Sequence, residues 1–126
     1  MIYVASRASI PERAAMWRKL RDEGAPIISP WIDEAGEDET ASFEELWDRI
    51  HGEISRSTFL VLYAESSDFP LKGALVEVGM ALGLGIRVRC VLPGVKLEAR
   101  TSRPLGSWFE HRKVRRFDTL NDALTI

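Results

Sequence analysis

Thr58-Phe59-Leu60-Val61-Leu62-Tyr63 is an uninterrupted apolar run of strand length, which is how a strand buried on both faces of a parallel sheet reads. The pattern on either side alternates strand with helix. Downstream, Glu65 to Pro70 reads as a loop. Leu71, Ala74, Leu75, Val78, Ala81 and Leu82 then recur at helical spacing until Gly83 and Gly85 stop the run. Arg87 to Leu92 follows as another strand. Upstream, Ser42-Phe43-Glu44-Glu45 has the Ser-x-x-Glu form of a capping box. Phe43, Leu46, Trp47, Ile50 and Ile54 mark the buried face of the helix it opens.

The same alternation extends to both ends. Ile2 to Ala5 reads as a short buried strand. Pro11 suits the first turn of a helix that Ser9 can cap, with Ile10, Ala14, Trp17 and Leu20 at helical spacing and Gly24 then Pro26 as stops. Ala25 to Ser29 is a second apolar strand ended by Pro30, and the acidic, aperiodic stretch from Trp31 to Ala41 is a loop. Pro93 to His111 is also aperiodic, and a loop of that length in a compact domain usually has a function or lies at an interface. Lys113 to Phe117 makes a fifth strand and Leu120 to Ile126 a short last helix. The expectation is one domain over residues 1–126: an α/β three-layer sandwich with a five-stranded parallel sheet and helices on both faces. Ligands in such sheets sit beyond the carboxyl ends of the strands. That rule nominates Ser6-Arg7, Trp31 to Glu34, Glu65 to Gly73 and the stretch from Pro93.

Composition narrows the classes. The 126 residues are 45% hydrophobic and 29% charged, an ordinary globular balance. One cysteine, Cys90, excludes a disulfide framework, and with only His51 and His111 a histidine-rich metal site is not expected. No cofactor is expected either: Gly79, Gly83 and Gly85 lie late in a helix and make no dinucleotide loop, and no phosphate-cradling lysine loop or serine elbow is present. The apolar run Ile2–Ala5 is too short for a signal peptide or a membrane span, so a cytoplasmic location without membrane contact is the expectation. The net charge of −2 hides an asymmetry. Nine acids and one base, Arg49, lie between Asp33 and Glu53, whereas nine bases and two acids lie between Arg87 and Arg116. These are two solvated faces, a phosphate-binding face, or complementary surfaces of an oligomer. The basic stretch lacks the interleaved aromatics of a single-strand binder, so a nucleic-acid polymer is not the expected partner.

Glu77 is the residue that stands out. It lies in Ala74-Leu75-Val76-Glu77-Val78-Gly79-Met80-Ala81-Leu82, a segment otherwise built for burial. Burial raises a carboxylate's pKa, while the positive end of a helix favours its charged form. Gly73 and Gly79 would let a ligand or backbone approach it closely. The plainer alternative is a helix glutamate paired with Lys72 or Arg7.

The spacing Gly73-x-x-x-Glu77-x-Gly79-x-Ala81, after a strand and a loop, resembles the nucleoside 2-deoxyribosyltransferase family and its relatives that hydrolyse deoxynucleotide N-glycosidic bonds. Met1-Ile2-Tyr3-Val4-Ala5 looks like that family's first strand, and the order of elements is similar over nearly the whole chain. The resemblance implies a flavodoxin-like fold, a homo-oligomer, and a nucleoside or nucleotide as the small-molecule partner. It also implies that Glu77 attacks the anomeric carbon, as a carboxylate does in retaining glycosidases, with Tyr3 holding its rotamer by a hydrogen bond. The chain departs from the family at Ser57-Thr58 and at Leu71, where relatives place aspartates. Asp33 is the candidate second acid in their stead, unless it serves only to form a turn before Gly36, with Glu34 beside it and Asp68 as a further acid near the site. Trp31 would stack on the base, or else is a loop aromatic packed on a neighbouring subunit. Ser6 and Arg7 would take a 5′-phosphate at the following helix N-terminus, unless Ser6 and Ser9 serve only as caps. The rival to an N-glycosidic enzyme is a non-catalytic nucleotide-binding module, and a third reading is an oligomeric scaffold.

Overall fold

A computed structural model describes residues 1–33 and 42–126. Four strands, β1 (Ile2–Ala5), β2 (Phe59–Tyr63), β3 (Arg87–Val91) and β4 (Val114–Phe117), form one parallel sheet in the order β1-β2-β3-β4. The helices are α1 (Pro11–Asp22), α2 (Phe43–Ser55), α3 (Gly73–Gly83) and the single turn α4 (Leu120–Ala123). Every residue of β1 is buried, as are all of β2 up to Tyr63, so these two strands are covered on both faces. Side chains alternate across a strand, and register partners in a parallel sheet share a face. Tyr63 therefore lies on the face of Phe59 and Val61, where Trp17 of α1 meets it edge-on at 6.3 Å. Arg89, in register with Val61, donates on that face to the Ala123 carbonyl of α4 at 3.0 Å. Tyr3 and Leu60 point the other way, toward α3, on which α2 packs.

The expected strand at Ala25–Ser29 is the correction: among the described residues the sheet has four strands, not five. The segment does run beside β1, but only through one parallel bridge, Ile2 with Ile27. Ile2 N–H donates to the Pro26 carbonyl at 2.8 Å and Ile28 N–H to the Ile2 carbonyl at 3.1 Å. Beyond that, a side chain replaces the ladder. Ser29 Oγ accepts from Val4 N–H at 2.6 Å and donates to the Val4 carbonyl at 3.0 Å. The Trp31 indole N–H donates to the same carbonyl at 2.7 Å, so the backbone groups a fifth strand would need are already taken.

Smaller differences have local causes. Ile10, not Ser9, occupies the cap position of α1, and no side chain caps it; Ser9 Oγ instead accepts from Arg7 Nε. Ser42 does cap α2, accepting from Glu45 N–H. Leu46, Ile50 and Ile54 form its buried face, but Phe43, in the first turn, is 72% exposed. The loop readings conceal single 3₁₀ turns at Pro30–Asp33, Ser66–Asp68 and Ser107–Glu110. Among the described residues no helix is long and apolar enough to cross a membrane.

The Ser29 contact carries a testable cost. Ser29→Ala removes the acceptor of the buried Val4 N–H, and an orphaned buried donor costs about 2 kcal/mol. A urea titration should show a lower midpoint by that amount with an unchanged m value; an unchanged midpoint would mean that water or backbone takes over the bond.

Candidate active site

A cavity of about 350 Å³ opens beyond the carboxyl end of β1, where the topology nominates a ligand. Ser6 and Arg7 come from the turn after β1, Leu46, Trp47 and Ile50 from α2, and Gly73, Ala74 and Glu77 from the first turns of α3. Ser9, Trp31, Pro70 and Lys72 are also in the wall. The size falls within the range of small-molecule sites, and the lining is largely apolar.

Glu77 is 5% exposed, and its Oε2 is buried without a hydrogen-bond partner. Neither alternative partner reaches it. Arg7 is tied to Ser9 and to the Ser67 and Asp68 carbonyls, and Lys72, at the cap of α3, is exposed. Desolvation therefore decides: it pushes the Glu77 pKa up to about 8, with Tyr3 pulling the other way. Tyr3 lies close enough for the two groups to sense each other. Burial, then the Glu77 charge, drives the phenol far above its ordinary value, so it stays protonated. Yet Tyr3 Oη is itself a buried polar atom without a bonded partner, so the pair sits just outside hydrogen-bonding geometry. Two adjacent, buried, unsatisfied polar groups make a site prepared for a third participant.

Gly73 and Gly79 differ in what an added side chain would meet. A Cβ on Gly73 would stand 3.8 Å from the Trp47 ring and 4.0 Å from Glu77 Oε1, so its absence keeps the wall beside the carboxylate open. At Gly79 an added Cβ would meet nothing within 4 Å.

The other nominated residues divide. Ser6 lines the cavity, buried, its Oγ accepting from the Trp17 indole N–H at 2.9 Å and keeping its own proton free to donate. Arg7 also lines it. Trp31 lines it as well, but its N–H is committed to the Val4 carbonyl, which fixes the ring as wall. Asp33 lies elsewhere, on the surface, in a two-pronged bond with Arg21 at 2.8 Å for each oxygen. That guanidinium holds its pKa below the usual carboxylate range, which suits no proton donor near neutrality. Asp68 is fully buried and does not line the cavity. Its oxygens take two bonds from Arg13, at 3.0 and 3.1 Å, and one from Glu65 N–H at 2.8 Å. Glu34 falls outside the described residues. Among those described, Glu77 is the one carboxylate at the cavity, and no group of three or more His, Cys, Asp or Glu is placed to hold a metal ion.

Sequence reasoning missed Trp47 as a wall residue and nominated Lys72 only as part of the stretch Glu65 to Gly73. Trp47 reads as core because it lies on the same helical stripe as Leu46 and Ile50. Lys72 by itself reads as a possible partner for Glu77. No protein-family model matches the chain, and a search of curated proteins finds no match.

The buried carboxylate gives a pH signature in stability. A folded pKa of about 8 against an ordinary 4.5 means that the folded state holds the proton more tightly. Stability is then full below pH 4.5, falls as pH rises toward 8, and stays at its reduced level above. The full loss is on the order of 5 kcal/mol. Glu77→Gln cannot ionise, so it should gain on wild type through that window when urea midpoints are compared pH by pH. Parallel curves would mean that the carboxylate is solvated.

Proposed function

We propose that this chain cleaves or transfers the N-glycosidic bond of a nucleoside, deoxynucleoside or 5′-monophosphate, through a covalent glycosyl-Glu77 intermediate, on a flavodoxin-like fold. The observation that carries the reading is the unpaired Glu77 carboxylate, buried at an apolar cavity of nucleoside scale beside the Tyr3 hydroxyl. With the bridge at Ile27 counted, the spatial order of the strand segments is second-first-third-fourth-fifth, the flavodoxin-like order.

The step balances without a cofactor. A Glu77 oxygen forms a bond to C1′ as the C1′–N bond breaks, and the bond's electron pair leaves with the base. Water or an acceptor base then attacks C1′, which frees the carboxylate; with water the acceptor proton goes to the released group or to solvent. Tyr3, protonated throughout, orients the carboxylate by donating to it once the gap closes. Trp31 and Trp47 form flat apolar walls for sugar and base. Ser6 and Arg7, with Lys72 and Ser9 at the same cavity, supply donors for a 5′-phosphate. A carboxyl group to protonate the leaving base is absent among the described lining residues, so this reading favours bases that depart readily or take a proton from solvent.

The rival, a nucleotide-binding module without turnover, draws on one observation: Asp33 and Asp68 are both engaged in ion pairs. The two readings separate in one experiment. The protein is incubated with deoxynucleosides and their 5′-monophosphates, and free base or exchanged base is measured by chromatography. Turnover should appear and fall by roughly 10³-fold or more in Glu77→Gln. Because the nucleophile must be ionised, kcat/KM should rise about tenfold per pH unit toward pH 8 and then level. Saturable binding with no base released at any pH would establish the rival. Turnover that survives Glu77→Gln would remove Glu77 from the chemistry.

A further inference from the structure

At the other end of the sheet and on its other face lies a second concavity, of about 460 Å³, lined by Arg87, Arg89, Arg112, Lys113, Arg115 and Phe117. The ladder sets these cations out. Arg89 is in register with Arg115, and Val88 with Val114, which places Arg87 beside Lys113. Four positive side chains therefore share one face, in a grid about 6.6 Å along the strands and about 4.8 Å across them.

Ion pairs occur elsewhere in the chain: Arg13 with Asp68, Arg21 with Asp33, Arg56 with Glu53, Arg103 with Glu98 and Lys19 with Glu23. None of the five cations at this concavity makes an ion pair among the described residues. Arg89 is fixed as the floor, stacked 3.8 Å from the Phe59 ring centroid and 5.0 Å from that of Phe117, with one nitrogen donating to the Ala123 and Thr125 carbonyls. Its neighbours Arg115 and Arg87, after burial, lower its affinity for its own proton, which reports their crowding. Arg87, Arg112 and Arg115 are exposed, and none of the three has a hydrogen-bonded partner among the described residues. Lys113 spends one bond on the Gly85 carbonyl at 3.0 Å.

We propose that this concavity is a binding site for a compact polyphosphate, free or as the tail of a nucleotide. Several negative charges within a few ångströms satisfy a grid of that size, and guanidinium forks suit phosphate oxygens. A long nucleic-acid backbone fits less well. The grid is two strands wide, and the chain beyond it is acidic enough to leave a net charge of −2. The site is separate from the Glu77 cavity and stands or falls without it.

The test is calorimetric titration of the full chain, free of magnesium, with inorganic triphosphate, ATP, inorganic phosphate, and single-stranded oligonucleotides of increasing length. Triphosphate should bind saturably, at least tenfold tighter than inorganic phosphate. ATP binding like triphosphate identifies the chain of phosphates as the ligand, and tighter ATP identifies a nucleotide. Arg87→Ser and Arg115→Ser should each weaken binding by roughly tenfold or more. Both side chains are exposed and carry no bond on which the fold rests. Arg56→Ser, at a surface ion pair away from both cavities, should leave it unchanged. The proposal is overturned if triphosphate does not saturate, if the Arg87 and Arg115 variants bind it as wild type does, or if Arg56→Ser abolishes it instead. It is equally overturned if oligonucleotides bind more tightly than triphosphate and gain affinity with length, which would assign the surface to nucleic acid.

Discussion

A carboxylate taken out of water must find a partner or keep its proton, and this fold contains both outcomes a few residues apart. Asp68 and Glu77 are both buried. Asp68 answers with three hydrogen bonds, two from the Arg13 guanidinium and one from Glu65 N–H, and so pins the loop after β2 to α1. Glu77 has no such answer at Oε2, and its proton is held instead. The first arrangement fixes the geometry around the second. Arg7 donates to the carbonyls of the pinned loop, and that engagement helps to keep a cation off Glu77.

Much of the framework is legible in the sequence because burial on both faces leaves a continuous apolar signal. Ile2 to Ala5 and Phe59 to Tyr63 read as strands for that reason, and Ser42 reads as a cap because its partner lies three residues away. The strand at Ala25–Ser29 is misread because its apolar character is real but its hydrogen bonds are not a ladder. Ser29 makes them with a side chain, which no periodicity reveals. At the site, Glu77 stands out as a lone charge in an apolar helix. Asp33 and Asp68 do not, because their fates depend on Arg21 and Arg13, twelve and fifty-five residues away. Trp47 shows the converse: a stripe that reads as core contains a residue that is also wall.

The sheet separates two kinds of surface. Beyond the carboxyl end of β1, the helices α2 and α3 enclose an apolar space in which charge is scarce and consequently strong. Near the start of β3 and β4, on the face where the single turn α4 packs, charge is abundant and open to solvent.

The bond from Ser29 to Val4 also governs how the molecule can meet its own copies. By occupying both backbone groups of Val4, it reduces the outer border of the sheet to one bridge, too little to template an incoming chain. The opposite border, β4, carries Arg115 and Arg116, the kind of residues that repel a second strand of like sequence. Growth by lateral β-addition, the usual road to fibrils, is obstructed on both flanks, which leaves helices and loops as the surfaces for self-association.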